Sequence, residues 1–132
     1  RTVRADLSTY DGVERLWSAV TVGGRPLDAA ALNAGIGVNG DFTRDIPLED
    51  DLQLIAVNVN AVVHLAKRVL PGMVERGVGW VLITSSVAAT MPGPYYATYA
   101  ASNSSAPAWR TPRSLRPVRT TLPRWPGTAL RP

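Results

Sequence analysis

Two short, largely apolar stretches, Leu27–Ala34 and Trp80–Thr84, flank a long segment whose apolar residues recur at helical spacing. Each stretch is short and apolar enough to be a strand buried on both faces. Between them Leu52, Ile55, Ala56, Val59, Val63, Ala66 and Leu70 form the stripe of an amphipathic helix. Two buried strands joined by a helix are the unit of a parallel sheet with a crossover connection, which limits the chain to an α/β architecture.

The flanking segments extend this order. Thr2–Ala5 reads as a short strand ending at Asp6, and Ser8 or Thr9 can cap a helix through Asp11–Val20 with Glu14 in its first turns. Gly23-Gly24-Arg25-Pro26 breaks it. Pro47 sits at the start of the second helix, where Glu49, Asp50 and Asp51 favour its positive end. Pro71-Gly72 is expected to weaken or bend that helix near its end. After Thr84 a loop holding Pro92, Gly93 and Pro94 leads to a last helix around Tyr95–Ser102. In open parallel sheets ligands bind beyond the carboxyl ends of the strands. Asp6, Asn33, Gly35, Ser85 and Ser86 fall at or just past those ends, so they outline one edge of an expected pocket.

Composition narrows the function. At 132 residues and 45% hydrophobic the chain can bury a core, and it fits one small domain or part of a larger one. It has no cysteine, hence no disulfide framework and no thiolate metal site or nucleophile; no metal site is expected, and a cytoplasmic setting fits. No apolar run approaches the roughly 20 residues of a membrane span, and the N-terminus carries no signal-peptide pattern. The chain opens on Arg1, from which a missing upstream part is expected.

Charge is unevenly spread. Residues 1–103 carry 8 Lys/Arg and 10 Asp/Glu, whereas residues 104–132 carry 6 arginines and no acid. No recognition motif or aromatic stacking pattern accompanies those arginines, so neither nucleic acid nor a membrane is expected as a partner. The tail also holds 6 of the 11 prolines, which forbid a long helix, and no strand alternation replaces one.

Four blocks carry chemistry: Ala5-Asp6-Leu7, Leu32-Asn33-Ala34-Gly35, Val57-Asn58-Val59-Asn60, and Thr84-Ser85-Ser86 followed by Tyr99-Ala100-Ala101-Ser102. In their order and spacing they resemble the classical short-chain dehydrogenase/reductase family from about Arg1 to Ser102. The fold this implies is a partial Rossmann-type, doubly wound parallel sheet spanning residues 1–103, followed by an irregular Pro/Arg-rich tail over 104–132. The implied cofactor is NAD or NADP, and the implied substrate a small-molecule carbonyl or alcohol. Asp6 would contact the adenine, with Asn33, Ala34 and Gly35 also at the cofactor. Tyr99 would be the acid in reduction and the base in oxidation, Ser86 would hydrogen-bond the reacting oxygen, and Asn58 would hold a water in a proton relay. The helix Leu48–Leu70 would belong to the surface through which family members pair, so a homo-oligomer is possible.

Other readings stand beside these. Ser85 competes with Ser86, while Tyr95 and Tyr96 lack the family spacing to Ser86. Asp6 can be only a helix-start acid, and Asn33 and Gly35 only turn residues. Gly35-Ile36-Gly37 lacks the full Gly-rich spacing of a phosphate cradle. His64 reads as an ordinary helix-surface residue.

The family departs from this chain at one chemical point. A free tyrosine titrates near pH 10, and a cation four residues on, one helical turn away, would favour the phenolate. The family has lysine there, which also holds the cofactor ribose; this chain has Asn103, which is neutral. Lys67, its one lysine, lies nine positions after Asn58 and so on the opposite face of the same helix. The family's Gly-rich pyrophosphate turn would precede Arg1. We read the change of style after Ser102 as a shifted reading frame near codon 103, with a natural divergent tail as the competing reading. Two function classes follow: an NAD(P)-dependent oxidoreductase with negligible turnover as the chain stands, or a non-catalytic remnant that at most binds a partner or a related subunit.

Overall fold

The computed structural model describes residues 2–91, 93–105 and 119–121. Helix α1 (Tyr10–Thr21) precedes strand β1 (Ala29–Leu32). A long helical segment follows: α2 (Leu48–Ile55), a π turn (Ala56–Asn60) and α3 (Ala61–Arg76). Strand β2 (Trp80–Thr84), a 3-10 turn (Val87–Ala89), α4 (Ala97–Ser104) and β3 (Arg119–Thr121) complete the described elements. β1 pairs with β2 in parallel from Ala29–Trp80 to Leu32–Ile83, and β2 with β3 in parallel from Leu82–Arg119 to Thr84–Thr121. The α/β class and the parallel sheet are as the alternating pattern requires.

Local chemistry explains the helix ends. Thr9 caps α1, its hydroxyl accepting from the Gly12 amide at 3.0 Å and donating to the Asp6 carbonyl at 3.1 Å. A Cβ at Gly12 would lie 1.7 Å from that carbonyl oxygen, so only glycine lets the chain fold this tightly onto its own cap. α3 runs through Pro71 to Arg76 and stops at Gly77, which takes the left-handed conformation (φ 68°) of a helix C-terminus.

The core lies where α3 crosses the sheet. Val62, Ala66, Val69 and Met73 pack against Leu32, Val81 and Ile83, with Trp17, Leu27, Ala30, Leu65 and Leu70 around them. The segment Leu48–Arg76, 29 residues long, is apolar enough by composition to cross a membrane, although counting uninterrupted apolar runs does not flag it. Val62, Ala66, Val69 and Met73 form the face of this segment that packs on the sheet.

Three expectations change. Thr2–Ala5 forms no strand, since no described strand lies beside it to complete a ladder. The tail, expected to hold no strand, contributes β3 from Arg119-Thr120-Thr121, a proline-free triplet rich in β-branched residues between Pro117 and Pro123. The rest of the tail beyond Ser105 lies outside the described residues, as does Pro92. His64 is not a free surface residue. Its Nε2 stands 2.6 Å from Glu14 Oε1, which also accepts from Arg68 Nε at 2.7 Å, and the Tyr10 ring packs on its imidazole at 4.6 Å. This cluster fastens α1 to α3.

Candidate active site

The carboxyl ends of β1 and β2 open into a cavity of about 220 Å³. The loop after β1 lines it with Asn33, Ala34, Gly35, Ile36 and Gly37, the helical segment with Asn58, β2 and its exit with Thr84 and Ser85, and α4 with Tyr99, Ser102 and Asn103. Asn33, Ala34, Gly35, Asn58 and Tyr99 thus come together from three separate parts of the sequence.

Each is held by an identifiable contact. Thr84 Oγ1 donates to Asn33 Oδ1 at 2.7 Å, tying the ends of the two strands. Asn58 sits in the π turn, an irregularity that widens a helix by one residue and often marks a functional position. Its Oδ1 accepts from the Ile36 amide at 2.8 Å, and its Nδ2 donates to the Ile36 carbonyl at 2.9 Å. Asn58 therefore clamps the loop after β1. A Cβ at Gly35 would meet Asn58 Oδ1 at 3.3 Å, a tight approach that glycine avoids.

Tyr99 projects from α4 beside Gly37, where a Cβ would reach ordinary contact with its ring at 3.8 Å. The turn before α4 is unusual. Tyr95 has φ 69°, a left-handed conformation costly for a residue with a side chain, and its carbonyl accepts from the Gly40 amide at 3.0 Å. This bond joins the loop after β1 to the start of the tyrosine helix.

The two serines after β2 take different roles. Ser85 lines the cavity and donates to the Asn103 carbonyl at 2.9 Å. Ser86 accepts from the Ala88 amide at 3.2 Å, capping the 3-10 turn, and is not among the lining residues. Asp6 is also apart from the cavity. Its Oδ1 accepts from the Ser8 hydroxyl at 2.7 Å and the Ser8 amide at 2.9 Å, and these bonds, the hydroxyl first, hold its carboxyl below the usual range. That is the geometry of a helix-start acid.

The side chain that replaces the expected cation is turned away. Asn103 Nδ2 donates to the Tyr99 carbonyl at 2.9 Å, one turn back along α4. No lysine or arginine is among the described lining residues. Sequence reasoning missed Ser102, which is buried beneath the site and accepts from Asn58 Nδ2 at 3.2 Å. Its position three residues after Tyr99, on the same side of a helix, was the available signal.

This chain matches the short chain dehydrogenase family over residues 1–108. The chain belongs to that family. A short chain dehydrogenase of Pseudocercospora fijiensis is 36% identical over 102 residues, covering 76% of this chain and 33% of the relative. Glucose 1-dehydrogenase of Gluconobacter oxydans is 37% identical over 100 residues, covering 74% of this chain and 36% of the relative. Among solved structures, an alcohol dehydrogenase from the archaeon Thermococcus sibiricus, complexed with 5-hydroxy-NADP, superposes with a TM-score of 0.71 at 26% identity, covering 79% of this chain and 43% of that one. This short-chain dehydrogenase chain thus spans about a third of the length of the curated relatives it matches. Its parallel sheet and helices are a partial Rossmann-type fold, and its family is one of oxidoreductases.

Proposed function

We propose that the chain carries the carbonyl-facing half of an NAD(P)-dependent short-chain dehydrogenase site, and that the 132-residue chain turns over at a negligible rate. The observation that carries this reading is the convergence of Asn58 and Tyr99 on one cavity whose described lining residues include no cation. A carbonyl gains a proton from a positioned acid when it is reduced. Tyr99 is the proton donor, and Asn58 holds a water at its back. Ser86 remains the proposed partner of the reacting oxygen, with Ser85, which faces the cavity, as its rival.

The relative from Thermococcus sibiricus is complexed with an NADP derivative, and NAD or NADP is the cofactor proposed here. The nicotinamide would supply the hydride when bound. Asn33, Ala34 and Gly35 fit its uncharged surroundings. The cavity does not fit a pyrophosphate, because no described lining side chain offers a counter-charge and about 220 Å³ is below the usual range for even a drug-sized ligand. The substrate is a small-molecule carbonyl or alcohol. Asp6 is the residue proposed at the adenine; Ser8 takes its Oδ1, which leaves Oδ2 for that contact.

The division into residues 1–103 and an irregular or out-of-frame tail over 104–132 belongs to the same proposal. Reading the coding DNA in the other two frames tests it: a lysine followed by an amphipathic helix is expected, and its absence from both frames refutes the shift.

A second reading is supported by a surface feature. Leu48, Leu52, Ile55 and Val63 form an exposed apolar stripe along the long helical segment. A non-catalytic module that pairs through this stripe would sediment as a dimer and become monomeric in a Leu52→Glu variant.

Titration of NADPH fluorescence distinguishes the two. The oxidoreductase reading expects weak binding that an Asn103→Lys variant tightens. Binding absent in both proteins leaves only the pairing module.

A further inference from the structure

Ser102 is one of two buried polar side chains among the described residues, at 5% exposure, and its hydroxyl both donates and accepts. A serine hydroxyl has one proton to give and lone pairs to receive. Ser102 gives its proton to the Tyr99 carbonyl at 2.9 Å, so toward Asn58 it can only accept. The group it meets at 3.2 Å is Asn58 Nδ2, a donor, which agrees with that requirement.

The same count fixes what Asn58 offers the cavity. An asparagine amide has two N–H donors and an oxygen with two lone pairs. One N–H goes to the Ile36 carbonyl and the other to Ser102 Oγ, while the oxygen receives the Ile36 amide. Both donors are spent. What remains free is one lone pair on Oδ1.

We infer that Ser102 is a positioning residue: it consumes the last donor of Asn58 and so makes Asn58 an acceptor-only group at the cavity, locked to the turn that carries Tyr99. A molecule hydrogen-bonded to the Asn58 side chain must then present a donor. A water or a substrate hydroxyl meets this condition; a bare carbonyl oxygen does not. The consequence for proton transfer rests on the proposed oxidoreductase reading, but the lock itself does not.

The test uses the side-chain amide signals of Asn58 in nitrogen-15-labelled 132-residue chain, assigned by their loss in Asn58→Asp. Ser102→Ala should shift this pair and speed its hydrogen exchange about threefold to tenfold, the equivalent of one neutral hydrogen bond, with the backbone amides of α4 unmoved. Ser102→Thr, which keeps the hydroxyl, should restore the parent signals. Ser102→Cys, close in size but a poor acceptor, should behave like alanine and serves if Ser102→Ala does not fold. An Asn58 pair unchanged in Ser102→Ala or Ser102→Cys overturns the inference, as does a Ser102→Thr pair that exchanges as fast as the alanine variant. If the Asn58 signals respond as expected while NADPH binding is absent from both the parent and Asn103→Lys, the lock stands and the oxidoreductase reading falls.

Discussion

Asn103 folds its side-chain amide back onto the carbonyl of Tyr99, with 2.9 Å between Nδ2 and oxygen. The residue that in the family would place a positive charge one turn from the tyrosine instead closes a neutral bond within its own helix. Ser85 binds the Asn103 carbonyl from the end of β2, so the backbone is held near the site even though the side chain is turned from it. The backbone position for that cation is held, and the side chain it carries is neutral.

Asn103→Lys should therefore act on Tyr99 directly. An ammonium at this position favours the phenolate. Ultraviolet titration of the variant should show one tyrosine ionising at lower pH than in the parent, and adding Tyr99→Phe should abolish that component. A titration identical to the parent would mean that the lysine does not reach the ring.

Gly12 is the tightest steric point in the cap of α1. A Cβ there would sit 1.7 Å from the Asp6 carbonyl oxygen and 2.9 Å from the Thr9 hydroxyl. Gly12→Ala should cost about 2–3 kcal/mol, the scale of an overpacked site that cannot relax, although alanine is the better helix former. Urea denaturation followed by circular dichroism measures it; an unchanged midpoint would refute the close approach.

The depth to which the sequence can be read follows from how local each signal is. Thr9 as a cap and β2 as Trp80–Thr84 depend on neighbours a few residues apart, and both emerge as expected. The long helix forms too, but the face it buries is Leu54, Ala61, Val62, Ala66, Val69 and Met73; of the expected stripe, Leu52, Ile55 and Val63 are exposed and only Ala66 is buried, because which side meets the sheet is set by tertiary packing. The blocks around Asn33, Asn58 and Tyr99 were legible because their spacing resembles a known family. What escaped depends on tertiary approach. The π turn at Ala56–Asn60 has no Gly or Pro to announce it, and the left-handed Tyr95 sits where sequence suggests only a loop. His64 and Glu14 are 50 residues apart, and their pairing is invisible to periodicity.

Asp51 shows the same limit. As an acid in the first turn of α2 it is favourable by local rules, yet it is 7% exposed and its Oδ1 has no hydrogen-bond partner among the described residues. An unpaired buried polar atom costs about 1–3 kcal/mol, against roughly 0.3–1 kcal/mol gained from the helix dipole. Asp51→Leu should stabilise the chain by about 1 kcal/mol. Thermal melting checks the sign, and a lower midpoint would mean that the carboxylate has a compensating partner.

Acid should loosen the attachment of α1. The hydrogen bond from Arg68 holds the Glu14 carboxyl below its usual range; it outweighs the opposing effect of burial, and the His64 hydrogen bond adds a smaller lowering. A depressed folded value means that the contribution is complete above the unfolded value, about 4.3, and is lost as pH falls through the lower folded one. Thermal midpoints between about pH 5 and pH 3 should fall more steeply in the parent than in Glu14→Gln. Parallel curves would remove Glu14 from the account.

We propose that the site around Tyr99, with Asn103 in place of a lysine, does not turn over in this chain. Oxidation of NADPH or NADH by the purified 132-residue protein, measured across aldehydes and ketones beside a Tyr99→Phe control, tests it most directly. The account predicts rates indistinguishable from the control for every substrate. A rate above that of Tyr99→Phe would contradict it, because Tyr99 would then be donating its proton without the missing charge.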